Sequence, residues 1–278
     1  MGKMKAFINT KEVIDFACKR EPFYEDVAKV FVMVLAIFFT FTLTSCNNNT
    51  SDGIIPNAVT DIDGNRYNAV KLGKQVWMAE NLRTTRYADG NQIPLASGKR
   101  GDEHSSTIPC RYYPDNNSDN VYTYGYLYNW KAVMGNSPSS SNNPSEIQGI
   151  CPDGWHVPSY AEWNQLQDYL FSKPEYGYDN CNDCIAKSLA SNTGWCYGGN
   201  IANNANINNA TGFSAVPAGR FSDYTGCCNL GMDTWFWSTS TTLQDGGAAS
   251  VGIVSWESHM CNCGYEYSVG CSVRCIKD

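Results

Sequence analysis

A chain of 278 residues allows one large domain or two small ones, and 17 Tyr, 8 Trp, 11 Phe, 24 Gly and 11 Pro with few charges fit a loop-rich fold of short strands. The formal charge of −7, with no run of Lys and Arg, argues against nucleic acid as a partner, because phosphate neutralisation needs clustered positive charge. Thirteen cysteines signal metal sites in a reducing compartment or disulfides in an exported protein, and the N-terminus decides between the two.

Lys29 precedes an apolar run over residues 30–43, interrupted only by Thr40 and Thr42, that ends in Leu43, Thr44, Ser45 and Cys46. The run is at the short end for a membrane span, and polar sequence follows it at once. The pattern resembles a bacterial lipoprotein signal peptide over residues 1–45, with Cys46 as the acylated residue. A transmembrane anchor is the alternative. Several acyl chains at Cys46 anchor stably, since each buried methylene contributes about 0.8 kcal/mol and a single chain is marginal. Residues 46–57 are then a flexible tether and residues 58–278 the folded domain. The expected address is the cell envelope, lipid-anchored in the outer membrane and exposed at the surface.

Residues 59–72 read as strand, turn, strand around Asp63 and Gly64. The stretch 61–65 has part of a calcium loop but lacks its later bidentate Glu, so no metal is expected there. Gln75–Met78 is the next expected strand. Trp130, Val133 and Met134 predict a short helix ending at Gly135, and the aromatics of 122–134 read as core before they read as a sugar platform.

Residues 149–163 hold the strongest local signals. Ser159 followed by Glu162 is a capping box, Pro158 bars a helix from running backwards, and Trp163, Leu166 and Leu170 recur at helical spacing. Together they predict a helix over Tyr160–Phe171. Within the same stretch His156 reads as a buried hydrogen-bonding group. Cys181 and Cys184 form a Cys-x-x-Cys pair with no second pair or His pair at zinc spacing, which favours a structural disulfide, local or to another loop. A short helix is expected over 185–190, an irregular loop over 200–209, and strands over 213–221, 234–239, 248–256 and 272–277. Helices in the middle, strands late and no βαβ rhythm mean an α+β fold.

Several blocks resemble the Fibrobacter succinogenes major paralogous domain family, exported bacterial domains within the C-type-lectin-like superfamily. They are DGNRY (63–67), QVWMAENL (75–82), YGYLYNW (124–130), CPDGWHVPS (151–159), TGFSAVPAG (211–219), FWS (236–238) and SVRCIK (272–277). The segment 154–163 is also similar to one in formylglycine-generating enzymes. The resemblance implies a C-type-lectin-like fold: two helices flanking small, mostly antiparallel sheets, a disulfide between Cys151 and Cys275, and a binding surface near the C-terminal strands.

The function this implies is a non-catalytic binding or adhesion module for a glycan or a surface protein. It needs no cofactor, and its membrane contact is through the lipid anchor. The candidate face is the expected loop 255–267, with Trp256, Glu257, His259, Tyr265, Glu266 and Tyr267, because aromatic rings stack on sugars and carboxylates accept from hydroxyls. A structural subunit of a surface assembly is the alternative. A copper enzyme of the formylglycine-generating kind is a weaker one, resting on Cys271 and Cys275 four residues apart.

Overall fold

The first folded element is the hairpin that Asp63 and Gly64 announce. In the computed structural model, which describes residues 53–101, 108–242 and 247–278, β1 (Ile54–Thr60) pairs antiparallel with β2 (Arg66–Leu72). Gly64 takes φ +86 in the turn, a conformation that costs glycine little. The expected signal peptide and Cys46 lie outside the described residues. Ile54 and Ile55, which fall within the expected tether of 46–57, pair with Val70 and Ala69 in β1, and residues 46–52 of that span lie outside the described residues.

The remaining elements follow in order: β3 (Gln75–Met78), β4 (Arg111–Tyr112), α1 (Val121–Tyr124), β5 (Leu127–Asn129), α2 (Trp130–Met134), β6 (Trp155–His156), α3 (Tyr160–Phe171) and α4 (Ala186–Leu189). Then come β7 (Arg220–Ser222), β8 (Gly226–Cys228), β9 (Asp233–Thr241), β10 (Gly247–Val254), β11 (Cys261–Glu266), β12 (Gly270–Cys271) and β13 (Ile276–Lys277). The fold is α+β and rich in sheet. Three sheets have the orders β1-β2-β3-β13-β6, β11-β10-β9 and β4-β5-β12-β7-β8. All their pairings are antiparallel. Where two flanking helices were expected, only α3 exceeds two turns among the described residues; α1, α2 and α4 are single turns.

Local chemistry builds the elements that were expected. The Ser159 hydroxyl accepts from Glu162 N, and the Glu162 carboxylate accepts from Ser159 N, so the capping box closes. Asn129 caps α2 by accepting from Ala132 N, and Gly135 ends it at φ +59. The apolar face of α3 then buries Trp163 against Trp77, with ring centroids 4.3 Å apart, and against Phe213 and Phe236.

Two expected strands are much shorter than anticipated. Of 213–221 only Arg220 and Phe221 are strand, because Pro217 has no N–H to donate and Ser214 and Gly219 take positive φ. Of 272–277 only Ile276–Lys277 pairs as strand, because the intervening residues cross between sheets. Ser272 bridges to Phe236 of β9, Cys275 is bonded to Cys151, and Ile276 pairs with both Trp77 and His156.

Arg274 occupies the centre of this crossing, and its side chain is fully buried. Its guanidinium donates to Asn81 Oδ1 at 2.7 Å, Met78 O at 2.9 Å, Phe213 O at 2.5 Å and Ser214 O at 2.9 Å. It also lies 4.6 Å from the centroid of the Phe213 ring. These partners are neutral oxygens and a ring face, and burial pulls the Arg274 pKa down to about 9. The planar fork of donors is the reason for arginine here, since the three N–H bonds of an ammonium diverge from a single nitrogen and cannot span four oxygens served from Nε, Nη1 and Nη2.

His156 fills the buried role expected of it. Its Nε2 is 2.8 Å from Glu162 Oε1 and its Nδ1 is 2.7 Å from Asp278 Oδ1. Burial alone would lower its pKa, but hydrogen bonds and charge from Glu162 and Asp278 outweigh that, and the net shift is upward. Glu162 also accepts from Ser145 N, so one carboxylate serves helix cap, loop and imidazole.

Replacing Arg274 by Lys leaves several buried carbonyls without donors, and a loss of roughly 2–4 kcal/mol is expected. Urea denaturation of Arg274→Lys measures it, and a midpoint equal to wild type would refute the role given to the fork. The raised pKa of His156 sets a direction with pH. Its contribution is fully present below the unfolded value of 6.5 and is lost as pH rises through the higher folded value. The stability advantage of wild type over His156→Gln should therefore shrink from pH 6 towards alkaline pH, and a pH-independent difference would contradict it.

Candidate functional site

The six residues expected to form one face are divided between the two ends of β11. That segment was expected to be a loop, yet it is a strand whose alternation turns Cys261, Cys263 and Tyr265 inward and leaves Asn262, Gly264 and Glu266 exposed. Its partner β10 supplies the missing half of the hydrogen bonds, which no local pattern in 261–266 announces. Cys261 pairs with Gly252 and Glu266 with Gly247, so the two ends stand about 17 Å apart along the strand.

At the far end Tyr265 and Tyr267 serve packing. The Tyr265 ring meets Trp235 edge-on at 5.2 Å and Trp237 at 6.5 Å, and Tyr267 stacks on Trp130 at 4.5 Å. Arg220 lies 5.7 Å from the Tyr265 centroid and is held by Asp233. Glu266 points outward on its own.

At the near end Trp256, Glu257 and His259 are all exposed. Two other loops join them there. Ser255 N donates to Met232 O, Ile201 N to Ser255 O, Cys196 N to Gly231 O, and the Asn200 side-chain amide to Trp256 O. The approach of loop 196–201 to loop 255–259 is so close that a Cβ on Gly199 would lie 2.5 Å from Ser255 O. The three loops carry large apolar side chains in water: Tyr197 is fully exposed, Trp256 is 53 % exposed and Met232 is 41 % exposed. Tyr197 and Met232 were not among the expected site residues. The only local sign of them is an aromatic in a Gly- and Asn-rich segment, and the juxtaposition comes from the hydrogen bonds between loops.

A cleft of about 500 Å³ runs beside Trp155, His156, Glu162 and Asp278, but both ring nitrogens of His156 are already engaged there. The calcium-like stretch 61–65 is also spoken for. Asp61 accepts from Asp63 N, Asn65 N and Tyr67 Oη, while Asp63 accepts from Thr85 and Arg86.

The pairing that the resemblance implied, Cys151 with Cys275, is present, and Cys181 pairs locally with Cys184. Cys196, Cys227, Cys228, Cys261, Cys263 and Cys271 remain thiols. Since Cys275 is bonded to Cys151, it does not form a dithiol with Cys271, and burial pushes the Cys271 thiol pKa well up.

No curated protein and no solved structure matches the chain. The family model of the Fibrobacter succinogenes major domain matches residues 70–277, a span that takes in β3 through β13, both disulfides and the loop cluster around Trp256. The chain therefore belongs to the Fibrobacter succinogenes major domain family.

Proposed function

We propose that the protein is a cell-envelope lipoprotein, anchored through Cys46, whose C-type-lectin-like domain is a non-catalytic recognition module for a glycan. The cluster of Tyr197, Met232 and Trp256 carries this reading. Single exposed apolar side chains are ordinary, but several of them on loops tied together by backbone hydrogen bonds mark a binding surface. Indole and phenol rings stack on pyranose faces at little entropic cost, and the Glu257 carboxylate and the Asn200 side-chain carbonyl on the same loops can accept from hydroxyls. The rigidity comes from the sheet, since Met232 directly precedes β9 and Ser255 directly follows β10. The envelope address rests on the apolar run 30–43 and the Leu-Thr-Ser-Cys box.

Relative to the face first named, the binding role moves to the near end of β11. Trp256 and Glu257 keep it, Tyr197 and Met232 join, and Tyr265 and Tyr267 become core cover. On arrays of glycans and surface proteins, Trp256→Ala and Tyr197→Ala should each weaken glycan binding about tenfold with unchanged thermal stability, as expected for exposed anchors. Tyr267→Ala should instead lower stability by about 1–3 kcal/mol and leave binding intact in the folded fraction. Binding to proteins alone would turn the reading to a protein receptor, and silence on both arrays would favour a structural subunit of a surface assembly. Labelled palmitate should enter the wild-type protein in cells and not Cys46→Ala, and equal labelling of the two would remove the anchor.

A further inference from the structure

The fold brings His259 to the Cys-x-x-Cys pair, although 75 residues separate it from Cys184. Sequence spacing alone favoured a structural disulfide there, because it offered no further ligand. The tertiary structure supplies one. Cys184 Sγ lies 3.6 Å from His259 Nε2, His259 Nε2 lies 3.5 Å from Asp183 Oδ2, and Cys181 Sγ lies 2.9 Å from Asp183 Oδ1. One ligand atom from each of the four residues falls within 4.8 Å of all the others.

The two separations that involve His259 are close to the edges of a zinc tetrahedron. With metal–ligand bonds of about 2.3 Å to sulfur and about 2.05 Å to nitrogen and oxygen, the S–N edge is about 3.5 Å and the N–O edge about 3.4 Å. The sulfurs need to move, since on the same geometry two bound thiolates stand about 3.8 Å apart and a bound sulfur and oxygen about 3.5 Å apart, wider than the disulfide bond and wider than the 2.9 Å between Cys181 Sγ and Asp183 Oδ1. The donor set is also chemically coherent, because two thiolates, a carboxylate and a neutral imidazole carry three negative charges that call for a cation. The backbone holds the two halves together independently of the side chains: Ala186 N donates to Ser258 O, next to His259, and Cys184 N donates to Cys181 O.

We propose that Cys181, Asp183, Cys184 and His259 form a site for a zinc-type divalent cation in the dithiol form of the protein, mutually exclusive with the Cys181–Cys184 disulfide. A dithiol reductant supplies two electrons and two protons, opening the disulfide to two thiols while itself becoming a disulfide. The cation then displaces the two thiol protons to solvent and binds both sulfurs. The two states differ in what they fasten. The disulfide joins residues three apart and ties down nothing beyond its own turn, whereas the metal would clamp loop 181–186 to the loop that carries Trp256 and His259.

Cobalt(II) titration of the purified protein under anaerobic conditions tests this, with and without a phosphine reductant. The reduced protein should take one equivalent with a thiolate-to-cobalt charge-transfer band and tetrahedral d–d bands, and the oxidised protein should show neither. His259 is exposed, so His259→Ala should fold normally and weaken cobalt binding at least about tenfold, the lower bound seen for residues that merely support a ligand. The double variant Cys261→Ser, Cys263→Ser controls for the neighbouring thiols and should bind as wild type does. Absence of the thiolate band in the reduced protein would overturn the proposal. So would binding that disappears with Cys261 and Cys263 yet is indifferent to His259→Ala.

Discussion

A guanidinium closed off from solvent must be given oxygens, and the core depends on the way this one is supplied. Arg274 takes carbonyls from Met78, Phe213 and Ser214 and a side-chain oxygen from Asn81. A buried donor left without an acceptor costs most of its desolvation penalty, so the segments offering these oxygens are held in one arrangement. That arrangement fixes the end of β3, the segment before β7 and the last residues of the chain together. It also explains an irregularity. Residues 213 and 214 present carbonyls to an arginine in place of a neighbouring strand, so the segment they begin does not start as strand.

The same C-terminal residues link all three sheets. Gly270 and Cys271 complete one, Ser272 touches β9 of the second, and Ile276 enters the third between β3 and β6. Cys275, between Arg274 and Ile276, is covalently joined to Cys151 across 124 residues. Closing so long a loop removes much of the entropy of the unfolded chain, on the order of 4–5 kcal/mol at 25 °C in the chain-entropy model. His156 adds a third tie through Glu162 and Asp278, which connects the start of α3 to the last residue. Three different interactions therefore converge on nine residues, and no helix bundle or large single sheet is needed to stabilise the domain.

A core fastened at that crossing leaves the far reach of β9 and β10 free to carry loops. Residues 196–201, 229–232 and 255–259 meet there, and their backbone bonds to one another replace the sheet bonds that end at Asp233 and Val254. Apolar side chains that found no place in the core stand in solvent on these loops. The Cys181–Cys184 turn borders the same region through the bond from Ala186 N to Ser258 O. The exposed apolar side chains and the disulfide turn thus share one end of the molecule, while the opposite end of β11 is closed by stacked aromatics.

What the sequence by itself determined is local or motif-borne. The helix over Tyr160–Phe171 was legible because its cap, its proline boundary and its apolar spacing lie within thirteen consecutive residues, 158–170, and interact with each other. Strand β3 and the hairpin at Gly64 were legible for the same reason, and family membership with the Cys151–Cys275 bridge followed from ordered motifs. Only the tertiary structure decided that β11 is a strand, that Tyr265 and Tyr267 pack inward, and that the loop carrying Tyr197 meets the loop carrying Trp256. It alone placed His259 against Cys184. Each of these depends on partners tens of residues away: β10 for the strand, Trp235 and Trp130 for the tyrosines, Ser255 for the loop at Gly199. Period, cap and turn chemistry report what a residue prefers among its neighbours in the chain, whereas burial and binding are set by which distant surface the completed fold brings against it.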